Sequence, residues 1–308
     1  MVAFYTLKVP LGQAFYEKDP HVDLNPPPGG AWEDIDVSAH VPIGATAAIL
    51  NCRATESGRF FGLRKKGSTD ELYQNMRYGH QWWIVGLDDN RVFQMKRQLA
   101  TSAGAILVGY CGEGVIMLTN SPHNFVNTIN STWQEKDLSS YCPGAIGILL
   151  EVHATENRSF GVRKAGSTDS LTGAIDKNAH ILIMVGCDEN QKIDTWSSDI
   201  AALHYHVIGY VTSGAYFYTN AVNQSLTIAD DDWHDLPAEL HDQAVFGFFL
   251  VRGNGNYDIR KKGGEAQTYD LNQHYWAYVP CDTDKKCEGK ISTLSVDFLQ
   301  IGFGTAAT

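Results

Sequence analysis

One signature returns three times along this chain, and any fold it adopts must accommodate every copy. Gly62-Leu63-Arg64-Lys65-Lys66-Gly67-Ser68-Thr69-Asp70 recurs as Gly161-Val162-Arg163-Lys164-Ala165-Gly166-Ser167-Thr168-Asp169, and a degraded version follows at Asp258-Ile259-Arg260-Lys261-Lys262-Gly263-Gly264. Other landmarks keep the register. Trp32, Trp133 and Trp233 lie 101 and 100 residues apart; His80 and His180 lie 100 apart, and His274 follows 94 later. Val85-Gly86-Leu87-Asp88-Asp89-Asn90 matches Val185-Gly186-Cys187-Asp188-Glu189-Asn190, with Val279-Pro280-Cys281-Asp282 as the worn copy. Val108-Gly109-Tyr110 matches Ile208-Gly209-Tyr210 and Ile301-Gly302-Phe303, and Asn120 and Asn220, each after a Thr, stand 13 residues before the next Trp. A period of about 100 residues exceeds the roughly 20–50 of a solenoid unit and equals one small domain.

Within a repeat, strand signals dominate. Ala45 to Cys52, Arg59 to Arg64, Gln81 to Val85, Arg91 to Lys96, Ala105 to Tyr110 and Val115 to Leu118 are short β-compatible runs bounded by Gly, Asp, Asn or Ser. Asp88-Asp89-Asn90 reads as a tight hairpin turn. No segment sustains a helical period; Asp70 to Tyr78 and Asp235 to Gln243 are the only stretches that suit a helical turn or two. Seven or eight strands per roughly 100 residues predict an all-β chain of three tandem antiparallel β-sandwich domains, of jelly-roll or Ig-like topology. The expected units are repeat 1 over 31–130, repeat 2 over 131–230 and a diverged repeat 3 over 231–308. Residues 1–30, with Pro26-Pro27-Pro28-Gly29-Gly30, read as an extended N-terminal arm and hinge. Its aromatics Phe4, Tyr5, Phe15 and Tyr16 are candidates for docking on a neighbouring subunit.

With 35 acidic against 24 basic side chains and a net charge of −11, the chain argues against a nucleic-acid partner. No apolar run approaches the roughly 20 residues of a membrane span, and the start has no signal-peptide pattern. Synthesis in a cytoplasm is expected, and the sequons at Asn130, Asn157 and Asn223 read as coincidence. The six cysteines lack any Cys-x-x-Cys spacing. They read as buried thiols, with Cys281–Cys287 and Cys52–Cys111 as candidate disulfides.

The signature ends a strand in turn chemistry. Its Arg64, Lys65, Asp70, Arg163, Lys164, Asp169, Arg260 and Lys261 read chiefly as structural, with each Arg expected to pair with a carboxylate of its own domain, the site of Asp34, Glu135 and Asp235 among them. The alternative is a set of three basic sites for an acidic sugar or a partner. His80, His180 and His274 read as structural. His204 and His206 share a strand face but have no evident third ligand, so no metal and no cofactor is assigned. Asp230-Asp231-Asp232 reads as a solvated turn. Tyr73, Tyr78, Trp82, Trp83, Tyr269, Tyr275 and Trp276 are the candidate aromatic binding residues, against a reading as core. No catalytic motif stands out, and no catalytic residue is assigned.

The pattern Trp-x-Asp-Ile-Asp, then Gly-x-Arg-Lys-x-Gly-Ser-Thr-Asp, then Val-Gly-x-Asp-x-Asn, then Val-Gly-Tyr resembles a β-sandwich repeat seen in phage and environmental-virus structural proteins. It covers residues 31–220 well and 221–304 weakly. The resemblance implies a non-enzymatic virion component (head decoration, collar, tail accessory or fibre) at the virion surface after synthesis in the host cytoplasm. Other virion proteins or copies of this chain in a homo-oligomer or lattice are the expected partners, with a host surface glycan as a further one. A lectin-like carbohydrate-binding repeat protein is the alternative, and a polysaccharide-degrading enzyme a third.

Overall fold

The computed structural model describes residues 12–24, 30–54, 59–76, 79–98, 103–121, 124–237, 240–253, 255–264 and 275–306. The described residues form strands and turns with no helix. Where a helical turn seemed possible after Asp70, the chain instead runs into the short strand Gln74–Met76, and the one after Asp235 begins with the bridge strand His234–Asp235.

The first repeat supplies β1 (Phe15–Asp23), β2 (Glu33–Asp36), β3 (Ala47–Ala54), β4 (Arg59–Lys65), β5 (Gln74–Met76), β6 (Gly79–Gly86), β7 (Val92–Arg97) and β8 (Ala103–Cys111). The second supplies β9 (Val115–Met117), β10 (Asn124–Phe125), β11 (Gln134–Asp137), β12 (Gly147–Ala154), β13 (Arg158–Lys164), β14 (Gly173–Ile175), β15 (His180–Gly186), β16 (Lys192–Ser197) and β17 (Leu203–Val211). The third supplies β18 (Ala215–Asn223), β19 (His234–Asp235), β20 (Ala244–Gly253), β21 (Tyr257–Lys261), β22 (Tyr275–Pro280), β23 (Cys287–Ile291) and β24 (Val296–Thr305). The predicted turn forms between β6 and β7: the Asp88 carboxylate accepts the amides of Asn90 and Val92 at 3.0 and 2.8 Å, which lets Arg91 take a positive φ of 64°. Asp188 and Asp282 repeat the device.

Each repeat weaves between two antiparallel sheets. The axial sheets have orders β1-β8-β3-β6, β10-β17-β12-β15 (with β9 also on β17) and β18-β24-β20-β22. The flanking sheets are β2-β7-β4-β5, β11-β16-β13-β14 and β19-β23-β21. The edge strands β6, β15 and β22 of the axial sheets pack on one another at the centre, and flanking strands β4, β13 and β21 lean on them. The six small sheets thus form a six-bladed ring of the β-propeller kind. This overturns the expectation of three tandem sandwich domains. A free-standing sandwich has strands with one wet face, whereas β15 and β22 are buried at every position and the core is one cluster shared by all three repeats.

The ring also redefines where a unit starts. β1 lies on β8 as β9 lies on β17 and β18 on β24, with Glu17 opposite Gly109, Met117 opposite Gly209 and Phe217 opposite Gly302. Those glycines are needed: a Cβ would meet the carbonyl oxygens of Tyr16, Ile116 and Tyr216 at 2.6, 2.7 and 2.3 Å. Residues 15–23 are therefore the opening strand of the first unit and not part of a free arm. Phe15 is fully buried, 4.9 Å from the Phe248 ring of the third repeat, and Tyr16 stacks on Tyr110. The other two proposed docking aromatics, Phe4 and Tyr5, lie outside the described residues. Phe15→Ala is expected to cost about 3–5 kcal/mol in urea denaturation; a change below about 1 kcal/mol, the range of an uninvolved surface site, would show that β1 is dispensable to the ring.

Candidate functional site

The signature loops lie at the seams between successive units. After β4, Gly67 at φ 88° turns the chain so that Ser68-Thr69-Asp70 faces the opening segment of the next unit. There the Asn120 side-chain oxygen accepts from the Ser68 hydroxyl at 3.0 Å and the Thr69 amide at 2.7 Å, while the Asp70 carboxylate accepts the Ser121 amide at 2.6 Å. The second seam copies it: Asn220 accepts from Ser167 and Thr168, both at 2.9 Å, and Asp169 accepts the Ala221 amide at 2.6 Å. Lys65 and Lys164 donate across the same seams to the carbonyls of Met117 and Phe217. Asn120 and Asn220 recur in the sequence, but nothing there names them as receptors for the signature.

The Arg of each signature turns inward. Arg64, Arg163 and Arg260 sit 4.1, 4.1 and 3.8 Å above the rings of Trp32, Trp133 and Trp233. Arg163 pairs with Asp194 and Arg260 with Glu288 at 3.1 and 2.6 Å; Arg64 donates to Gln94 and pairs with Glu71. The expected in-domain carboxylates thus exist for all three: Glu71 in the signature loop for Arg64, and residues of β16 and β23 for Arg163 and Arg260. The Trp-bearing strand supplies the ring instead, while its Asp34, Glu135 and Asp235 hold Lys66, Lys192 and Lys262. Gly62 and Gly161 keep the indoles in place, since a Cβ would strike their edges at 2.8 and 2.7 Å.

The third seam, where the ring closes on its own beginning, is built differently. Gly264 stands where Ser68 and Ser167 stand, and Pro20 where Asn120 and Asn220 stand. Lys261 reaches the Glu17 carboxylate at 2.7 Å, and this contact pushes the lysine pKa up against the effect of burial. A cavity of about 240 Å³ lies here, lined by Glu17, Asp19, His21, Trp82, Lys261 and Lys262 among others. The cavities at the first and second seams measure about 30 Å³ each.

Other predicted residues do not gather into sites. Trp82, Trp83, Tyr275 and Trp276 are buried in β6 and β22, so the aromatic-platform reading fails for them; Tyr73 is half-buried beside Phe60 and Lys96. Tyr78, Tyr269 and His274 lie outside the described residues. All six cysteines are buried free thiols. Cys52 pairs with Ala105 and Cys111 with Ala47, five positions out of register on one ladder, roughly 16 Å apart at strand spacing and too far to bridge. The Cys281 and Cys287 thiols donate to separate carbonyls, of Ala244 and Pro280. Asp230 to Asp232 forms a turn with Asp231 at φ 62° and Asp230 bonded to His234.

Axial sheet two carries a histidine group that the sequence only half disclosed. His204 and His206 stack with His153, at 4.8 and 5.8 Å between ring centres. Stacked rings do not converge their nitrogens, and among the described residues no group of three or more His, Cys, Asp or Glu could hold a metal ion. Beside them His180 meets Glu151 at 2.6 Å in full burial. Burial pushes the Glu151 carboxyl pKa up, with the His180 contact opposing it.

No family model and no curated protein matches the chain. Among solved structures, a chain from the X-ray structure of the entire lipid-containing bacteriophage PM2 aligns with 93% of this chain and 87% of its own length, at 9% identity and a TM-score of 0.17, too low to establish a common fold.

Asn220→Ala removes the acceptor of the buried Ser167 hydroxyl and is expected to destabilise by about 1–3 kcal/mol in urea; a change below about 0.5 kcal/mol, the range of an uninvolved surface site, would show that the clasp does not hold the seam. Burial holds His153 and His206 down at about 4, against 6.5 for a free imidazole. Between those values the unfolded chain binds more protons, so their contribution is complete above about pH 6.5 and is lost as pH falls toward 4. It amounts to at most roughly 2 kcal/mol each after solvent screening. His206→Ile, which copies Ile106 of the first unit, should reduce the drop in urea midpoint between pH 7 and pH 4.5; an unchanged drop would assign it to other groups.

Proposed function

We propose that this protein is a non-enzymatic structural component of a virus particle, exposed on the virion surface. The observation that carries the proposal is the destination of its repeated residues. Signature side chains of all three copies are engaged in joints within and between units, as a rigid building block requires and as a single reaction centre does not. The likeness of that signature to repeats of phage and environmental-virus structural proteins supplies the setting.

A second observation favours assembly with neighbours. Ile129 and Ile228 lie four and five residues ahead of Trp133 and Trp233 and are 57% and 51% exposed. Large aliphatic side chains exposed on the same segment of two units suit contacts with other particle proteins or with further copies of this chain.

Electron microscopy of the native particle is the test. The expected result is ring-shaped density of this chain at regular surface positions, with Ile129→Asp/Ile228→Asp protein folded but excluded from particles. A chain absent from purified particles would refute the proposal.

A further inference from the structure

Equivalent places in the three axial sheets hold different charge. Residues opposite one another on antiparallel strands share a sheet face, as do residues two apart on one strand. On one face of axial sheet two, His153 lies between His180 on β15 and His204 on β17, and Glu151 lies between Leu182 and His206. Four imidazoles and one carboxylate thus meet across three adjacent strands. In the first unit Arg53 takes the place of His153; it is exposed and lies over Gly104, which takes the place of His204. In the third, Arg252 takes that place and pairs at 3.0 Å with Asp297, opposite it on β24. Both sister units give a permanent cation either water or a counter-ion. The second gives His153 another imidazole.

We propose that this face is an acid-sensitive latch, in which protonation of the histidines parts β17 from β12 and loosens the ring at its second unit. At neutral pH the rings stack, His153 with His204 at 4.8 Å and with His206 at 5.8 Å. His153 Nδ1, His180 Nε2 and His206 Nε2 are buried and have no hydrogen-bond partner. Protonation makes both nitrogens of a ring donors, so each buried one becomes an N–H without an acceptor on a ring that now carries charge. The one carboxylate on the face, Glu151, is already held by His180 at 2.6 Å. Around the face, β4 and β6 bring the Phe61 and Trp83 rings to His180, β10 lays Asn124 opposite His206, and the Asp70 charge of the first signature acts on Glu151. The charges that act on His153 are those of His204, His206 and His180, and on His206 that of His204. Burial, and then these neighbours, hold His153 and His206 at about 4, against 6.5 for a free imidazole. Between those values a form with the rings in water binds more protons, so it gains as pH falls.

Hydrogen exchange of the full chain, read by mass spectrometry at pH 7 and at pH 4.5 and corrected for intrinsic rate, tests the latch. Peptides from β12 and β17 are expected to lose protection in acid by about tenfold or more relative to the matching peptides of β3 and β8 and of β20 and β24. His153→Arg/His204→Asp, which copies Arg252 and Asp297, should keep the protection seen at pH 7 and remove the acid loss. Should that variant fail to fold, His206→Ile, which copies Ile106, is read in its place and should cut the loss severalfold. An equal change in all three units, no change in any, or an undiminished loss in the variant that folds overturns the proposal.

Discussion

The structure depends on a close approach of backbone to backbone, where the opening strand of each unit lies across Gly109, Gly209 or Gly302 on the last strand of the same unit. The opening strands also form the receiving side of the seams, through Met117, Phe217 and Glu17. Each therefore belongs to two joints at once. The last signature faces β1, where Lys261 meets Glu17 across 244 residues of chain. Burial of Phe15 against Phe246 and Phe248 anchors that return. The loop-closure cost of so long a return grows only with the logarithm of its length, so a modest apolar anchor suffices.

Two chemistries hold the seams. The first and second use an amide oxygen and a carboxylate to hold the buried Ser68 and Ser167 hydroxyls and the loop amides beside them. The third uses an ion pair between half-buried Lys261 and Glu17. A hydrogen-bond network needs every member in place, whereas the Lys261–Glu17 pair joins two strands and asks nothing of the loop that follows. That difference explains how the third copy could lose its Ser-Thr-Asp without losing the ring: the loss is confined to residues whose partner, at Pro20, had no acceptor side chain to offer.

Much of this was legible in the sequence, and the rest was hidden for physical reasons. Strand positions, the Asp88 turn and the three-unit period followed from local patterning, which records backbone demands. The arrangement of the units did not, because period-two patterning reports which face of a strand is dry and not what dries it. The continuous run Ile181-Leu182-Ile183-Met184-Val185 was the clue: a strand dry on both faces must sit between neighbours. The arm was misread because the Pro-Gly stretch that follows it resembles a hinge, while its equivalence to 115–125 lies in pairing, not in residue identity. The Arg pairing was half visible, since a buried guanidinium requires partners, but only the fold shows that the carboxylates lie on β16 and β23.

The same logic applies to one slot in the axial sheets, where the three units have diverged. Glu151, Asn51 and Leu250 lie opposite Leu182, Trp82 and Trp276 at equivalent places in the ladders. Glu151 holds His180 at 2.6 Å and Asn51 holds His80 at 2.5 Å. A buried carboxylate carries a desolvation penalty that an amide does not, so the second unit keeps the costlier version of a contact that the first makes with a neutral group and the third replaces with an aliphatic chain. A ring with one shared core can absorb such drift, because each unit's packing is braced by two others.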